Sequence, residues 1–188
     1  MNPLIILGAG VALAVMIVSK RARRLPTIAP SLGMGSVGLI GDSLAVGLKA
    51  PLAKIAADHG TAFRADVRGG TNAGQWLNII DRFLYDGSPE VLLVSLGTND
   101  AAVPGYSPLF IERAPKLVSY ALDHGSRVIW LMPPPMPWSL ADVEKGIAES
   151  GGGRIDPPDN LPRAPDKIHS SVKGYEQWAQ AIWEGLNR

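Results

Sequence analysis

Apolar and polar positions change period repeatedly along this chain, and each change marks an element. Val37-Gly38-Leu39-Ile40, Phe63 to Val67, Val91 to Leu96 and Val128 to Met132 are short runs, mostly unbroken by charge. Runs of this kind predict strands buried on both faces. Between them the spacing becomes helical. Leu44, Leu48, Leu52 and Ile55 predict a helix over 44–58, with Pro51 starting a fresh turn inside it. Helices are also predicted over 73–85 and 108–123. A last one begins near Ser171, with Val172, Tyr175, Ala179, Ile182, Trp183 and Leu186 as its apolar stripe. Strands alternating with amphipathic helices predict an α/β domain, with a central parallel sheet covered by helices on both faces.

The first 36 residues break this pattern. Residues 3–19 carry no charge, and Lys20, Arg21, Arg23 and Arg24 follow at once. At about 1.5 Å per residue the run reaches the lower end of a bilayer-spanning helix. A cleaved signal or a buried helix shares such a run. A signal peptide carries a basic n-region, which Met1-Asn2-Pro3 lacks, so a single membrane-spanning anchor is favoured. The positive-inside rule then places the basic flank, and the domain after it, on the cytoplasmic side. Residues 25–36, rich in Pro, Gly and Ser, read as a linker. The expected organisation is an anchor with its flank over 1–24, a linker over 25–36 and one domain over 37–188.

Charge and composition narrow the chemistry. Beyond residue 24 the chain holds fourteen basic and seventeen acidic residues, so no basic face for nucleic acid is expected. There is no cysteine, which excludes disulfides, thiol nucleophiles and thiolate-held metals. Three histidines do not make a His-rich metal site. His59 and His124 stand in matching Asp-His-Gly contexts at predicted helix C-termini, an ordinary place for a cation before a glycine cap. His169 has no such structural task.

Three motifs stand at the carboxyl ends of predicted strands or just before the last helix, where parallel sheets bind ligands. They are Gly41-Asp42-Ser43-Leu44, Gly97-Thr98-Asn99-Asp100 and Asp166-Lys167-Ile168-His169. Each has a bland reading alone. Asp42 and Ser43 suit a helix N-cap, Asn99 and Asp100 suit a turn, and Asp166 and His169 suit a loop hydrogen bond.

Taken in order, the three motifs resemble the SGNH hydrolases, also called the GDSL esterase/lipase family. Arg68-Gly69-Gly70-Thr71-Asn72 is a looser match to that family's second block. Lys173-Gly174-Tyr175 and Trp178-Ala179 resemble its C-terminal helix. The resemblance implies a three-layer flavodoxin-like fold and a serine ester hydrolase that needs no metal or organic cofactor. It implies Ser43 as nucleophile, His169 as its base and Asp166 as the group that orients His169. The implied oxyanion hole is formed by the N–H of Ser43, the N–H of Gly70 (with Gly69 the competing choice) and the Asn99 side chain.

Residues 133–165 are rich in Pro and Gly and read as a long irregular segment bordering the site. Trp138 and Met136 are its candidate substrate-binding residues, as an apolar or sugar-stacking wall. The domain is small with no evident lid, which favours a short acyl group, such as acetyl on a carbohydrate or cell-wall polymer. The expected anchor favours instead a lysophospholipid or acyl-thioester substrate at the membrane. A catalytically silent, membrane-anchored structural protein is the reading of a different class.

Overall fold

The computed structural model describes residues 35–188. Twelve elements follow one another: β1 (Ser36–Gly41), α1 (Ser43–Asp58), β2 (Ala62–Val67), α2 (Ala73–Leu77), α3 (Ile80–Tyr85), β3 (Val91–Ser95), α4 (Thr98–Ala102), α5 (Ser107–Asp123), β4 (Arg127–Leu131), α6 (Ala141–Ser150), β5 (Gly153–Ile155) and α7 (Val172–Leu186). The anchor expected over 3–19, its basic flank and the linker up to residue 34 lie outside the described residues. No helix among the described residues is long and apolar enough to cross a membrane.

The five strands form one parallel sheet in the order β2-β1-β3-β4-β5. Period-two alternation splits the apolar strand residues between two cores. Val37, Leu39, Val91, Leu93, Ile129 and Leu131 pack under α1 and α7. Ile40, Leu92, Val94, Val128 and Trp130 pack under α2, α3, α5 and α6. Burying one Leu or Ile completely contributes roughly 1.5–3 kcal/mol, so both helical layers are held mainly by this term. The chain runs from β1 outward to β2, then returns past β1 to β3. Right-handed crossovers in opposite directions require helices on opposite faces. The reversal therefore sets α1 and α2 on opposite faces and opens a crevice between the ends of β1 and β3.

The structure departs from the sequence pattern in four places. Helix α1 runs unbroken through Pro51 rather than restarting there. Proline cannot donate to the Gly47 carbonyl, but Gly47 is only half-buried, so water can take that place. The helix expected over 73–85 is two short helices. Asn78 donates its side-chain amide back to the Gly74 carbonyl at 3.3 Å, and Ile79 leaves helical geometry. Gly-Thr-Asn-Asp is not a simple turn but the entry to α4. The segment 133–165 contains α6 and β5. Helix α6 buries Val143 and Ile147 one turn apart and ends at Gly151, whose φ is +76°.

The junction before α7 is closely packed. Ser171 caps α7 by accepting from the Gly174 N–H at 3.2 Å, and its own N–H donates to the Pro162 carbonyl at 2.8 Å. A Cβ on Gly174 would lie 2.2 Å from that carbonyl oxygen. Gly174→Ala is therefore expected to destabilise the domain by about 1–3 kcal/mol. Urea unfolding should show this as a lower midpoint at unchanged slope.

Candidate active site

The site is assembled at the reversal. β1 ends at Gly41, where a Cβ would fall 2.2 Å from the Ser95 carbonyl of β3. Only glycine allows the two strand ends this close. The next residue, Asp42, donates its N–H to the same carbonyl at 3.0 Å and accepts from Leu44 N–H through Oδ1 at 2.9 Å. Asp42 is thus the N-cap of α1, and Ser43 is its first residue. The Ser43 N–H is one of the helix-start donors with no intrahelical acceptor.

His169 reaches Ser43 from the loop before α7. Its Nε2 lies 2.9 Å from Ser43 Oγ, and its Nδ1 lies 2.7 Å from Asp166 Oδ2. The other carboxylate oxygen of Asp166 accepts the N–H groups of Ile168 and His169, each at 2.9 Å. These bonds require the chain to double back at Lys167, whose φ of +59° is the only positive value on a non-glycine residue among those described. Left-handed backbone at such a residue costs about 1–2 kcal/mol. The loop is pinned around it: Lys167 N–H donates to the Ala164 carbonyl at 3.0 Å, and Arg163 Nη2 donates to the Lys167 and Pro135 carbonyls, both at 2.9 Å. The His169 ring and the two N–H groups hold the Asp166 carboxyl down at about 2. It stays ionised at neutral pH, as an anion that must orient an imidazole should.

Asn99 approaches from the far side, at the start of α4. Gly97, with φ of +107°, makes the turn out of β3. Asn99 Nδ2 donates to the Thr71 carbonyl at 2.9 Å and lies 3.4 Å from Asp42 Oδ2. Thr71 is itself fixed. Its hydroxyl donates to the Arg68 carbonyl at 2.7 Å and accepts from Trp76 Nε1 at 2.9 Å. In the same loop, Gly69 is the glycine beside the serine: a Cβ on it would lie 3.9 Å from Ser43 Cβ. A Cβ on Gly70, whose φ is +77°, would meet nothing within 4 Å beyond its chain neighbours.

Two carboxylates under the site are fully buried. Burial pushes Asp42 up to about 7, opposed by its bond from Leu44 N–H, reinforced by the charge of Asp100 and opposed again by His169. Burial likewise pushes Asp100 up, opposed by the Ala73 N–H and Arg113. The sequence named Asp42 as a helix-cap residue, which it is, and Asp100 only as a turn former; it named Arg113 not at all.

Met136 and Trp138 line a separate cavity of about 470 Å³ with Pro133, Pro135, Glu144 and Arg154. Ser43 and His169 do not line it. Arg163 joins its rim to the Asp166 loop through the Pro135 carbonyl. His59 and His124 lie away from the site. The first stacks on Trp183 and the second on Tyr120, at ring separations of 5.2 and 4.8 Å.

No protein-family model and no curated protein matches the chain. Solved structures do. A psychrotrophic esterase from Pseudoalteromonas sp., crystallised with monoethylphosphonate, is similar at a TM-score of 0.68 and 12% identity, over 81% of this chain and 96% of that one. A lipolytic protein of the G-D-S-L family from Desulfitobacterium hafniense is similar at 0.66 and 15%, over 80% and 98%. This chain has the SGNH hydrolase fold. An acetyl xylan esterase from Geobacillus stearothermophilus shares that fold at 0.64 and 15%, over 81% and 94%. In this domain Ser43, Asn99, Asp166 and His169 come from three separate segments, with His169 beside Ser43 and Asn99 beside Asp42.

The raised Asp42 value has a consequence for stability. An unfolded Asp titrates near 4, so between about pH 4 and about 7 the folded state binds the extra proton. Stability from this group is complete below about pH 4 and is lost as pH rises toward about 7. Asp42→Asn keeps a capping side chain and removes the titration. The melting temperature of the wild type is expected to fall relative to that of Asp42→Asn across this window. Parallel melting curves would exclude the effect.

Proposed function

We propose that this protein is a serine ester hydrolase. The observation that carries the reading is the continuous relay Ser43 Oγ–His169 Nε2–Asp166, with separations of 2.9 and 2.7 Å. Ser43 attacks the ester carbonyl carbon while its proton passes to His169 Nε2. The carbonyl π electrons move to oxygen, giving a tetrahedral oxyanion. Collapse breaks the bond to the alkoxide, which leaves with the proton from His169. Water then attacks the acyl-serine, again giving its proton to His169. The second collapse releases the carboxylic acid and returns that proton to Ser43. Asp166 keeps Nδ1 of the ring protonated and stabilises the imidazolium in both halves.

The oxyanion needs donors already in place. The Ser43 N–H and the Asn99 amide are assigned as two of them. The third is assigned to Gly69 rather than Gly70, because Gly69 adjoins Ser43 and Gly70 makes the turn behind it.

The substrate is proposed to be a short acyl ester, such as acetyl on a carbohydrate or cell-wall polymer. The Trp138 and Met136 cavity, with charged Glu144 and Arg154 on its walls, has the mixed character that a sugar needs. The acetyl xylan esterase of similar fold supports the same choice. One observation favours a second reading, a lysophospholipase or thioesterase. An apolar groove of about 650 Å³ runs between α1 and α7, lined by Gly47, Pro51, Ile55, Val172 and Tyr175, and begins one turn below Ser43. Such a groove suits an alkyl chain. Tethering by residues 3–19, with Lys20–Arg24 on the cytoplasmic side, belongs to the proposal as well. Protease added to intact spheroplasts should then leave the domain uncut.

Hydrolysis of p-nitrophenyl esters from acetate to palmitate tests the reading. Turnover is expected to be highest at acetate and to vanish in Ser43→Ala, together with labelling by a fluorophosphonate probe. A maximum at long chains would select the second reading, and a protein that neither turns over nor labels would be a silent scaffold. Asn99→Ala is expected to lower kcat by about 10²–10³ with little change in KM.

A further inference from the structure

The oxyanion donors proposed above lie on two loops that do not follow one another in the chain: Asn99 on α4, and Gly69 on the loop between β2 and α2. The Asn99 side chain bonds the second segment directly, at the Thr71 carbonyl, and a buried charge joins the two from below. Asp100, next to Asn99, points away from the crevice and is wholly buried. Its Oδ2 accepts the N–H of Ala73, the first residue of α2, at 3.0 Å. Its Oδ1 lies 3.4 Å from Nη1 of Arg113 on α5.

Arg113 does more than neutralise this carboxylate. Its guanidinium lies against the first turn of α2, where a Cβ on Gly74 would come within 2.8 Å of Cζ. On another side the guanidinium lies 5.7 Å from the centre of the Tyr106 ring. One rigid, planar cation thus touches the segment that carries Asn99 and the helix that closes the Gly69 loop. A lysine, as a point charge on a flexible stem, could match the charge but not this fork.

We propose that Arg113 is a positioning residue for the oxyanion hole, setting the distance between the Asn99 amide and the Gly69 N–H through Asp100. The inference rests on the assignment of those two groups as oxyanion donors. Arg113 touches neither of them, so its effect belongs to the transition state alone. Ground-state binding of the ester depends on other walls. A donor displaced by a fraction of an ångström weakens the bond to the oxyanion while leaving the serine, the histidine and the substrate contacts where they are.

The experiment is a double-mutant cycle on the full chain with p-nitrophenyl acetate, well below the melting temperature of every variant. Arg113→Met is expected to lower kcat about 10–100-fold with KM within about twofold of wild type. In an Asn99→Ala background the same substitution should cost much less, because one of the two donors it positions is already gone. If Arg113→Met does not fold, Arg113→Lys carries the test, with a smaller loss of the same kind. Wild-type kcat in the variant that folds, or a change confined to KM, overturns the proposal. So do losses that multiply fully in the double variant, and in that case the hole assignment stands. Unchanged kcat in Asn99→Ala alone overturns the hole assignment and the proposal with it.

Discussion

The close approach of β1 and β3 at their carboxyl ends is the constraint on which the rest depends. Gly41 and the Ser95 carbonyl would collide with any side chain between them. Because they meet there, Asp42 N–H can bond to β3 as well as cap α1. Ser43 is thereby held at the mouth of the crevice at the start of a helix. The same approach brings Asn99, four residues beyond Ser95, to the opposite lip. A residue larger than glycine at 41 would push the end of β1, and Ser43 after it, away from β3 and the Asn99 that follows β3. In this sense the site is a property of the sheet reversal before it is a property of any catalytic side chain.

Two kinds of support hold the site, and they differ in physical character. Below the crevice lies a dry charge network in which Asp42 and Asp100 are both wholly buried. Buried carboxylates are costly unless bonded. Each is bonded to a backbone N–H at a helix start, Leu44 for Asp42 and Ala73 for Asp100. Burial raises the proton affinity of both; Arg113 opposes the rise at Asp100, and the Leu44 N–H and His169 oppose it at Asp42. Above the crevice the Asp166–His169 loop is largely in water. Its geometry comes from hydrogen bonds within the loop and from Arg163, rather than from burial. If His169 is the proposed base, such a loop gives it access to substrate and water that the charged floor would not.

Much of this could be read from the chain, because the features that matter are local. Unbroken apolar runs at β1, β3 and β4 announce strands buried on both faces. Gly41-Asp42-Ser43 and Asp166 to His169 are each contiguous. The histidine without a capping role was visible by elimination of His59 and His124. What escaped is non-local or too short to repeat. Helix α6 buries just two large apolar side chains, Val143 and Ile147, on either side of Gly146, which is too little for a period to show. Strand β5 has three residues and takes its identity from pairing with β4. Arg113 reads as one polar position on an amphipathic helix until α2 and α4 are folded against it. Nor does the sequence show which of two adjacent glycines, Gly69 or Gly70, lies nearer Ser43.

The position of Trp138 follows from the same missed element. With residues 133–165 read as one irregular segment, Met136 and Trp138 would form a wall bordering the site. Helix α6 and strand β5 instead draw the segment toward the sheet edge. Met136 and Trp138 then line a cavity with Arg154 and Glu144, and the Arg163 bridge stands between that cavity and the Asp166 loop. In the proposed reaction an alcohol would leave Ser43 on the His169 side, because His169 Nε2 would hand it a proton. On that reading, a group extending from His169 past Arg163 would run toward this cavity, and contact with Trp138 would fall to the alcohol. The two halves of an ester would be judged in different places: the acyl part by the crevice itself, the alcohol by the edge that β5 adds to the sheet.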